Sequence, residues 1–411
     1  MSQGVLEQVV ERAPAPVEVV PSGGVRVRDE RIPELDALRG IAALAVAVYH
    51  YTARYDELYR HTPGLLGGWE HTHEVMSYGR YGVQLFFIIS GFVILMSVSR
   101  AKSAGQFAVQ RAARLYPAFW VACAATWLIV EWCGLKGRQV SGAVLGLNLT
   151  MAPMWFKPVA PWVWYVDGAY WSLKEELLFY VVMGVVLLVG LRKHALWVVG
   201  GLAGLHLCGL WVSADTAASW AQAVGFKSAS QLYDSVNLRW FCLFAIGMVL
   251  YETLKGAWKV RHWVVLAVAM MDVLLPLNKA KGYGQLVSDW PWMFEDRPGP
   301  SGWEHFFVVV TAAALVWVAA RMRPAVLRWR PLVWLGAISY SFYLLHQNIG
   351  YVVIRECEAR GVDANVAVVV ALCVVAGLAS GLTFGVERPV YSLVKGWMKG
   401  RAGAGGGVGA R

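Results

Sequence analysis

The sequence has few charged residues for its length. Only 16% of its 411 residues are Asp, Glu, Lys or Arg, whereas 57% are hydrophobic. A soluble domain carries about 25% charged residues, so this chain lacks the polar surface that would cover a globular fold. It also contains 21 Trp residues, a residue type that concentrates at membrane interfaces. The composition therefore predicts a polytopic membrane protein.

Several motifs of soluble enzymes are also missing. The chain has no GxSxG elbow, no Walker motif and no dinucleotide fingerprint. Its six cysteines are scattered without a CxxC pair, which predicts neither a disulfide framework nor a cysteine metal site. His71 and His73 lie in one loop without a distant partner ligand, so we predict no metal and no permanently bound cofactor. No basic segment leads into a short apolar core near residue 1, so we expect no cleaved signal peptide.

Long apolar runs dominate what is present. The net charge is +10, but the basic residues lie between apolar runs, which favours membrane orientation over nucleic-acid binding. A transmembrane helix needs roughly 20 mostly apolar residues. This criterion predicts an all-α polytopic bundle of about ten transmembrane helices, at 35–54, 81–99, 115–134, 173–191, 195–213, 237–254, 262–278, 304–320, 333–354 and 365–387.

The basic residues predict the orientation of the bundle. With a cytoplasmic N-terminus, the inner loops are short and rich in Lys and Arg, and the outer loops are mostly longer. We therefore predict that both termini are cytoplasmic. The stretch 141–155 is short and polar, and as an eleventh span it would invert every later loop, so we predict a re-entrant or interfacial segment. Flexible cytoplasmic segments, 1–34 and 391–411, are expected to flank a membrane domain at 35–390.

Two polar residues delimit an uncharged stretch in the first span. Arg39 and His50 enclose Gly40–Tyr49. Eleven residues of helix advance about 16 Å and return to within about 20° of the starting direction, so both side chains face one side. Taken separately, Arg39 is explained as an anchor at the inner interface and His50 as a bridge between helices. Our hypothesis is that His50 is a proton-transferring base at the end of a polar path.

The segment QRAARLYP places two arginines at the inner end of the third span. Arg111 and Arg114 lie on adjacent turns of one helix face. Guanidinium groups bind phosphate oxygens in a bidentate manner, which indicates a site for a phosphorylated acyl carrier. Any basic inner loop supplies the same RxxR spacing, so the pattern alone has little specificity.

The segment WSLKEELLFY carries two adjacent acids. Ser172 followed by Glu175 is typical of a capping box, which predicts a structural role for Glu175. Ser172, Glu176 and Tyr180 lie at i, i+4 and i+8 on one stripe. Either the helix N-terminal dipole favours Glu176 there, or Glu176 orients His50, stabilises its imidazolium or contacts a sugar hydroxyl.

The segment SYSFYLLHQN lies inside the ninth predicted span. Ser339, Tyr343 and His346 share one face of that helix. Hydrogen bonding between helices explains these residues adequately. A role for His346 at the active site is the alternative.

These patches, in this order, resemble one family, the integral-membrane acyltransferases of the acyltransferase 3 type. Members include bacterial O-antigen, exopolysaccharide and peptidoglycan O-acetyltransferases. The family core has ten spans, in agreement with the count above. The matching motifs are LDALRG with Arg39 and then His50, FFIISGF (86–92), RAARLYP (111–117), WSLKEELLFY (171–180), SYSFYLLHQ (339–347) and ERP (387–389).

The resemblance implies roles for residues already singled out. Arg39 and His50 would form the family's essential R-x10-H pair, and Glu176 would be the acid of its W-S-L-x-x-E motif. Asn348 stands where the family often has Pro. We predict catalytic roles for His50, Glu176 and Arg39, and substrate or acyl-CoA binding by Arg111, Arg114, Tyr180 and His346.

The resemblance also implies an O-acyltransferase of the bacterial inner membrane. It would move an acyl group, acetyl by default, from cytoplasmic acyl-CoA to a carbohydrate hydroxyl of an exopolysaccharide, O-antigen or other surface glycan. The predicted partners are acyl-CoA, the carbohydrate and the lipid bilayer, but not nucleic acid. Direct transfer with His50 as general base is the first mechanism, and an acyl-histidine intermediate is the second. The alternative function is a proton-coupled transporter of a glycan or small metabolite, which requires neither CoA nor the RxxR motif.

Overall fold

A computed structural model describes residues 32–55, 75–209, 211–275 and 302–404. Within these ranges the regular structure is helical, without strands. Short π-helical turns at His50–Arg54 and Thr383–Glu387 extend the first and thirteenth helices. The helices are α1 (Pro33–Tyr49), α2 (Gly82–Arg100), α3 (Ala104–Cys133), α4 (Gly142–Asn148), α5 (Trp171–Leu188), α6 (Ala195–Gly209), α7 (Ala214–Ala223), α8 (Ala229–Ser235), α9 (Phe241–Lys255), α10 (Val260–Leu274), α11 (Gly302–Arg321), α12 (Arg330–Glu358), α13 (Ala364–Leu382) and α14 (Arg388–Ala404).

The all-α prediction is confirmed for the described residues, and each of the ten predicted spans overlaps a helix there. In the part of the chain that the structure describes, four helical segments are individually long and apolar enough to cross a membrane: Val75–Arg100, Ala104–Cys133, Trp303–Arg321 and Ala364–Met398. The count of ten spans and the cytoplasmic termini stay predictions. The helix α14 lies largely inside the segment 391–411 that was expected to be a flexible tail.

The stretch 141–155 forms only the short helix α4 and part of a 3-10 turn, too little to span a bilayer. Its backbone is held by Asn148, which is buried. The Asn148 amide donates to the Trp164 carbonyl (2.7 Å) and its Oδ1 accepts from the Val166 N–H (3.0 Å). This segment therefore folds onto the next part of the loop and brings it against the bundle.

The helices α1 and α12 form the most extensive helix pair in the bundle. They cross at two glycines: a Cβ at Gly40 would lie 2.6 Å from the Gly336 nitrogen, and a Cβ at Gly336 would overlap the Asp36 carbonyl. Small residues allow such close backbone approach between membrane helices. Since His50 and His346 each lie ten residues beyond these glycines and contact each other, the two helices run parallel and in register.

Candidate active site

Two histidines meet where α1 ends beside α12. The His50 Nδ1 atom lies 3.2 Å from His346 Nε2, and the ring centroids are 5.0 Å apart. His346 is fully buried, whereas His50 is half-buried. The partner of His50 is therefore a second histidine, a pairing that the sequence analysis did not anticipate.

The hydrogen bonds assign the protons on both rings. His50 Nδ1 lies 2.9 Å from the Val46 carbonyl, and His346 Nδ1 lies 2.7 Å from the Tyr343 carbonyl. A carbonyl only accepts, so each neutral ring carries its proton on Nδ1. His346 Nε2 is then an acceptor for the His50 Nδ1–H. The Nε2 atom of His50 is left unprotonated, without a hydrogen bond to any described residue.

Two tyrosines hold the segment of α12 that carries His346. The Tyr51 hydroxyl donates to the His346 carbonyl (2.6 Å), and the Tyr170 hydroxyl donates to the Leu344 carbonyl (3.0 Å). Both tyrosine side chains are fully buried. Neither residue was predicted to belong to the site, because a tyrosine in an apolar run indicates packing in the core.

The loop after α4 adds a carboxylate to this support. Asp167 Oδ2 accepts from the backbone N–H of Asn348 (3.0 Å), and Oδ1 accepts from the N–H of Ala169 (2.9 Å). The Asn348 amide donates to the Val166 carbonyl (2.9 Å). Burial raises the pKa of Asp167 to about 6. Asn348, the departure from the family pattern, thus ties this loop to α12.

The predicted capping box is wrong. The helix α5 begins at Trp171 with no side-chain cap, so Ser172 already lies inside the helix. Its hydroxyl donates to the Ala169 carbonyl (3.2 Å) and contacts the Tyr343 hydroxyl (2.8 Å). Glu175 pairs with Lys174 (2.9 Å), and both side chains are buried. The 3-10 turn before α5 shifts the helix start ahead of the serine.

The predicted stripe of Ser172, Glu176 and Tyr180 is confirmed. Tyr180 donates to Glu176 Oε1 (2.5 Å), which also accepts from the Ser90 hydroxyl (2.7 Å). Glu176 forms no hydrogen bond with His50 in the described part of the chain. Its contacts with Ser90, the serine of FFIISGF, account instead for a polar residue in that otherwise apolar motif.

Three arginines gather around Tyr180, and we name Arg39, Arg111 and Arg114 the arginine cluster. Each lies close enough to Tyr180 to interact with it electrostatically. Arg111 donates to the Ser97 hydroxyl (2.8 Å), and its guanidinium lies 5.9 Å from the Tyr180 ring centroid. Its Nε atom is buried without a hydrogen bond to the residues that the structure describes. Arg39 and Arg114 are half-buried and form no hydrogen bond or ion pair with any described residue.

An acid of the ERP motif lies beside this cluster. Arg39 and Arg114 both lie within electrostatic range of Glu387, whose Oε2 atom accepts from the Ser341 hydroxyl at 3.4 Å. The π-helical turn that ends α13 carries Glu387 to this position. No role was predicted for Glu387, although a carboxylate at the end of an apolar run often marks a functional residue.

One polar stripe connects the two groups of residues. Ser172 contacts Tyr343, whose ring centroid lies 5.1 Å from that of His346. Tyr180, eight residues further along α5, lies at the arginine cluster, about 12 Å away. The structure therefore brings His346 to His50, and Glu176 and Tyr180 to the three arginines. The His71 and His73 motif lies outside the described residues.

These features define a helical membrane bundle in which a polar stripe links a guanidinium cluster to a buried histidine pair. A family model described as an acyltransferase domain matches residues 32–384. The chain belongs to this acyltransferase family, as its motifs indicated.

The individual proteins that match this chain share only low sequence identity with it. The chain is 32% identical over 154 residues to the exopolysaccharide production protein ExoZ of Rhizobium meliloti (strain 1021), covering 36% of this chain and 47% of that protein. It is 26% identical over 339 residues to the acyltransferase MdmB of Streptomyces mycarofaciens, covering 77% and 78%. It is 26% identical over 256 residues to the O-acetyl transferase of Shigella phage Sf6, covering 60% and 70%.

The chain thus spans about half the length of the exopolysaccharide production protein. No solved structure matches the chain.

Proposed function

We propose that this protein is a membrane-bound O-acyltransferase. It moves an acyl group, acetyl by default, from cytoplasmic acyl-CoA to a hydroxyl group of a carbohydrate such as an exopolysaccharide. Membership of the acyltransferase family supports group transfer. The observation that carries the proposal is the state of His50, whose Nδ1–H is engaged by Val46 and His346. Its Nε2 lone pair is therefore available to take a proton.

The proposed reaction is a direct transfer. His50 Nε2 removes the proton from the acceptor hydroxyl while the hydroxyl oxygen attacks the thioester carbonyl carbon. A C–O bond forms as the C–S bond breaks, and the departing thiolate receives the proton from the His50 imidazolium. The reaction is balanced without a metal ion or a redox step.

His346 acts on this reaction as a positioning residue. Its Nε2 atom accepts from the His50 Nδ1–H (3.2 Å), which maintains the tautomer that leaves His50 Nε2 unprotonated. When His50 is protonated, the same contact becomes a hydrogen bond from a charged donor and strengthens. His346 thus has the role that the sequence analysis considered for Glu176.

The arginine cluster is the proposed binding site for the phosphate groups of CoA. Among the described residues, Arg39 and Arg114 have no hydrogen-bond partner for their N–H donors, and the buried Arg111 Nε has none either. Guanidinium groups in partly buried surroundings form strong charge-assisted hydrogen bonds with phosphate. The stripe of Ser172, Glu176 and Tyr180 would then guide the pantetheine arm toward His50. Glu176 keeps Tyr180 in place and contacts the bound substrate.

A reconstituted assay tests the proposal. Purified protein in lipid nanodiscs receives acetyl-CoA and a bacterial polysaccharide, and thiol release and ester formation by mass spectrometry are measured. We expect His50→Ala to reduce both by at least about 100-fold, with normal protein yield. His194→Ala, at an exposed histidine in the turn before α6, is the matched control.

Two outcomes would contradict the proposal. Wild-type-like transfer by His50→Ala would exclude His50 as the base. Absence of CoA release by the wild-type protein, together with uptake of the glycan into sealed vesicles, would establish the transporter alternative. Mass spectra of surface glycans from cells with and without the gene would identify the acyl group and the acceptor.

A further inference from the structure

The helix α14 packs against α3, the helix that carries Arg111 and Arg114. Its residue Tyr391 lies within electrostatic range of both arginines. Tyr391 follows Glu387, which lies beside Arg39 and Arg114, by one helical turn. The first turns of α14 therefore form one side of the arginine cluster, and the function proposed above gives them no role.

Three tyrosines lie within electrostatic range of Arg114, and they differ in what their hydroxyl groups bond. The Tyr180 hydroxyl donates to a glutamate (2.5 Å), and the Tyr340 hydroxyl donates to a backbone carbonyl (2.9 Å). The hydroxyl of the half-buried Tyr391 forms no hydrogen bond with any residue that the structure describes. Tyr391 therefore presents an aromatic ring and a donor that are available to a ligand of the arginine cluster.

The sides of α14 differ in their chemistry. Tyr391 lies on the half-buried side, whereas Leu393 and Trp397 form an exposed apolar side that suits a membrane interface. Arg388 and Lys395 lie on a third, basic side. Lys395 is about 40° around the helix and about 6 Å along it from Tyr391, and it is exposed and forms no ion pair with any described residue. An ammonium group thus lies next to Tyr391, away from the apolar side.

The helix α14 extends away from the histidine pair. The chain turns after α12 and returns beside it as α13, so that Glu387 is bonded to Ser341, five residues before His346. One continuous helical segment includes α13 and most of α14, so α14 continues past this level in the same direction. Tyr391 and then Lys395 therefore lie successively farther from the reacting groups, by about 6 Å each.

The same order of groups occurs in coenzyme A. From its thiol, the molecule continues through a pantetheine arm to a diphosphate, and then to an adenosine that carries a 3′-phosphate. With the thioester at His50 and the diphosphate at the arginine cluster, the adenosine and its phosphate extend beyond the cluster. Aromatic rings stack on bases, and an ammonium group binds phosphate. Tyr391 and Lys395 supply these two groups in that order.

We propose that α14 forms the nucleotide-binding side of the donor site, where Tyr391 stacks on the adenine of CoA and Lys395 binds its 3′-phosphate. The protein would then select CoA thioesters over thioesters of phosphopantetheine alone. The identity of the donor rests on the proposed function. The inference gives a binding role to two residues of the segment 391–411, which was expected to be a flexible tail.

Binding of free CoA and its fragments tests this inference without any acyl transfer. The full-length protein in nanodiscs is titrated by calorimetry with CoA, with dephospho-CoA, which lacks the 3′-phosphate, and with 4′-phosphopantetheine, which lacks the nucleotide. The wild type should bind them in this order of decreasing affinity. Tyr391→Ala should weaken binding of CoA and dephospho-CoA about tenfold, as expected for one base–aromatic stack, and leave binding of phosphopantetheine unchanged.

The second variant tests the phosphate contact alone. Lys395→Gln should weaken binding of CoA about fivefold and leave binding of dephospho-CoA unchanged. Two variants serve as controls: Tyr391→Phe retains the ring and should bind CoA within about twofold of the wild type, and Lys193→Gln changes an exposed lysine in the turn before α6 and should bind as the wild type does. Melting temperatures without ligand identify any variant that is merely unfolded, in which case the other variant decides.

The possible results separate this inference from the proposed function. The inference is overturned if CoA binds no more tightly than phosphopantetheine, if Tyr391→Ala weakens all three ligands equally, or if both variants bind CoA like the wild type. Thiol release from acetyl-CoA that depends on His50 would still support the acyltransferase. Conversely, CoA binding that Tyr391→Ala weakens, in a protein that transfers no acyl group, would preserve the nucleotide site and refute the acyltransferase.

Discussion

The histidine pair and the arginine cluster differ in how completely their polar groups are bonded. Three of the four ring nitrogens of His50 and His346 have a partner, and tyrosines and a loop carboxylate hold the surrounding backbone. The guanidiniums of Arg39 and Arg114 have no hydrogen-bonding partner in the described structure. A base must be held at one atom and in one tautomer, whereas a phosphate site needs donors that are still available. Under the proposed function, the difference separates a region for proton transfer from one for phosphate binding.

Among the variants that test this difference between the two regions, His346→Leu is expected to have the largest effect. Without His346 as an acceptor for its Nδ1–H, His50 would lose part of its orientation, and kcat should fall about 100-fold, the lower end of what general base catalysis contributes. His346→Gln supplies an amide oxygen and should recover part of the rate. Steady-state kinetics in nanodiscs would measure both. Equal losses in the two variants would mean that His346 only fills space.

A smaller effect is expected from separating α1 and α12. Gly40→Ala places a Cβ 2.6 Å from the Gly336 backbone, and such overpacking costs about 2 kcal/mol of stability. The histidine contact should lengthen as well, so kcat should fall along with the melting temperature. Gly184→Ala in α5, where nothing lies within 4 Å, is the control. If the two variants melted alike, the glycine crossing would not set the register.

Arg114→Ala tests the other side of the comparison. If Arg114 binds the CoA phosphates as proposed, loss of its charge-assisted hydrogen bonds should raise KM for acetyl-CoA about tenfold with little change in kcat. Arg321→Ala at the exposed end of α11 removes a charge from the same end of the bundle and should leave KM unchanged. A fall in kcat alone would instead assign Arg114 to the reacting centre.

The smallest effect concerns Asp167 and pH. Its folded pKa of about 6 is higher than its unfolded value of about 3.9. The folded state therefore binds more protons between these values. The associated stability is fully present below the unfolded pKa and is lost as pH rises through the folded pKa. Between pH 5 and 7 the loss should be about 1 kcal/mol. Asp167→Asn should lack this component in thermal melts. A pH dependence identical to that of the wild type would contradict the assignment.

Local patterns in the sequence were sufficient to predict most of the fold. Each predicted span overlaps a helix because a long apolar run has few other stable states in a membrane. The boundaries are less accurate where a helix starts with polar residues. The helix α3 begins at Ala104, well before the predicted 115, since Arg111 and Arg114 are part of the helix without being apolar.

The site was predictable only where its residues share one helix. The stripe on α5 follows from helical spacing, and Glu176 does bond Tyr180. The His50–His346 pair joins residues 296 positions apart, and it depends on a backbone crossing that no local pattern encodes. The prediction of a capping box was wrong for a related reason, because the turn at Gly168–Tyr170, not Ser172, determines where α5 begins.

Gly40 and His50 are separated by the same number of residues as Gly336 and His346, so the two helices carry their histidines to the same level beyond the crossing. Adding one residue to either of these two segments would rotate its histidine by about 100° and advance it by about 1.5 Å, and the rings would no longer be in contact. Adding one residue to both would restore the match in length. The spacing between Arg39 and His50 in α1 is thus coupled to the length of a segment almost 300 residues away, and neither length can change without the other.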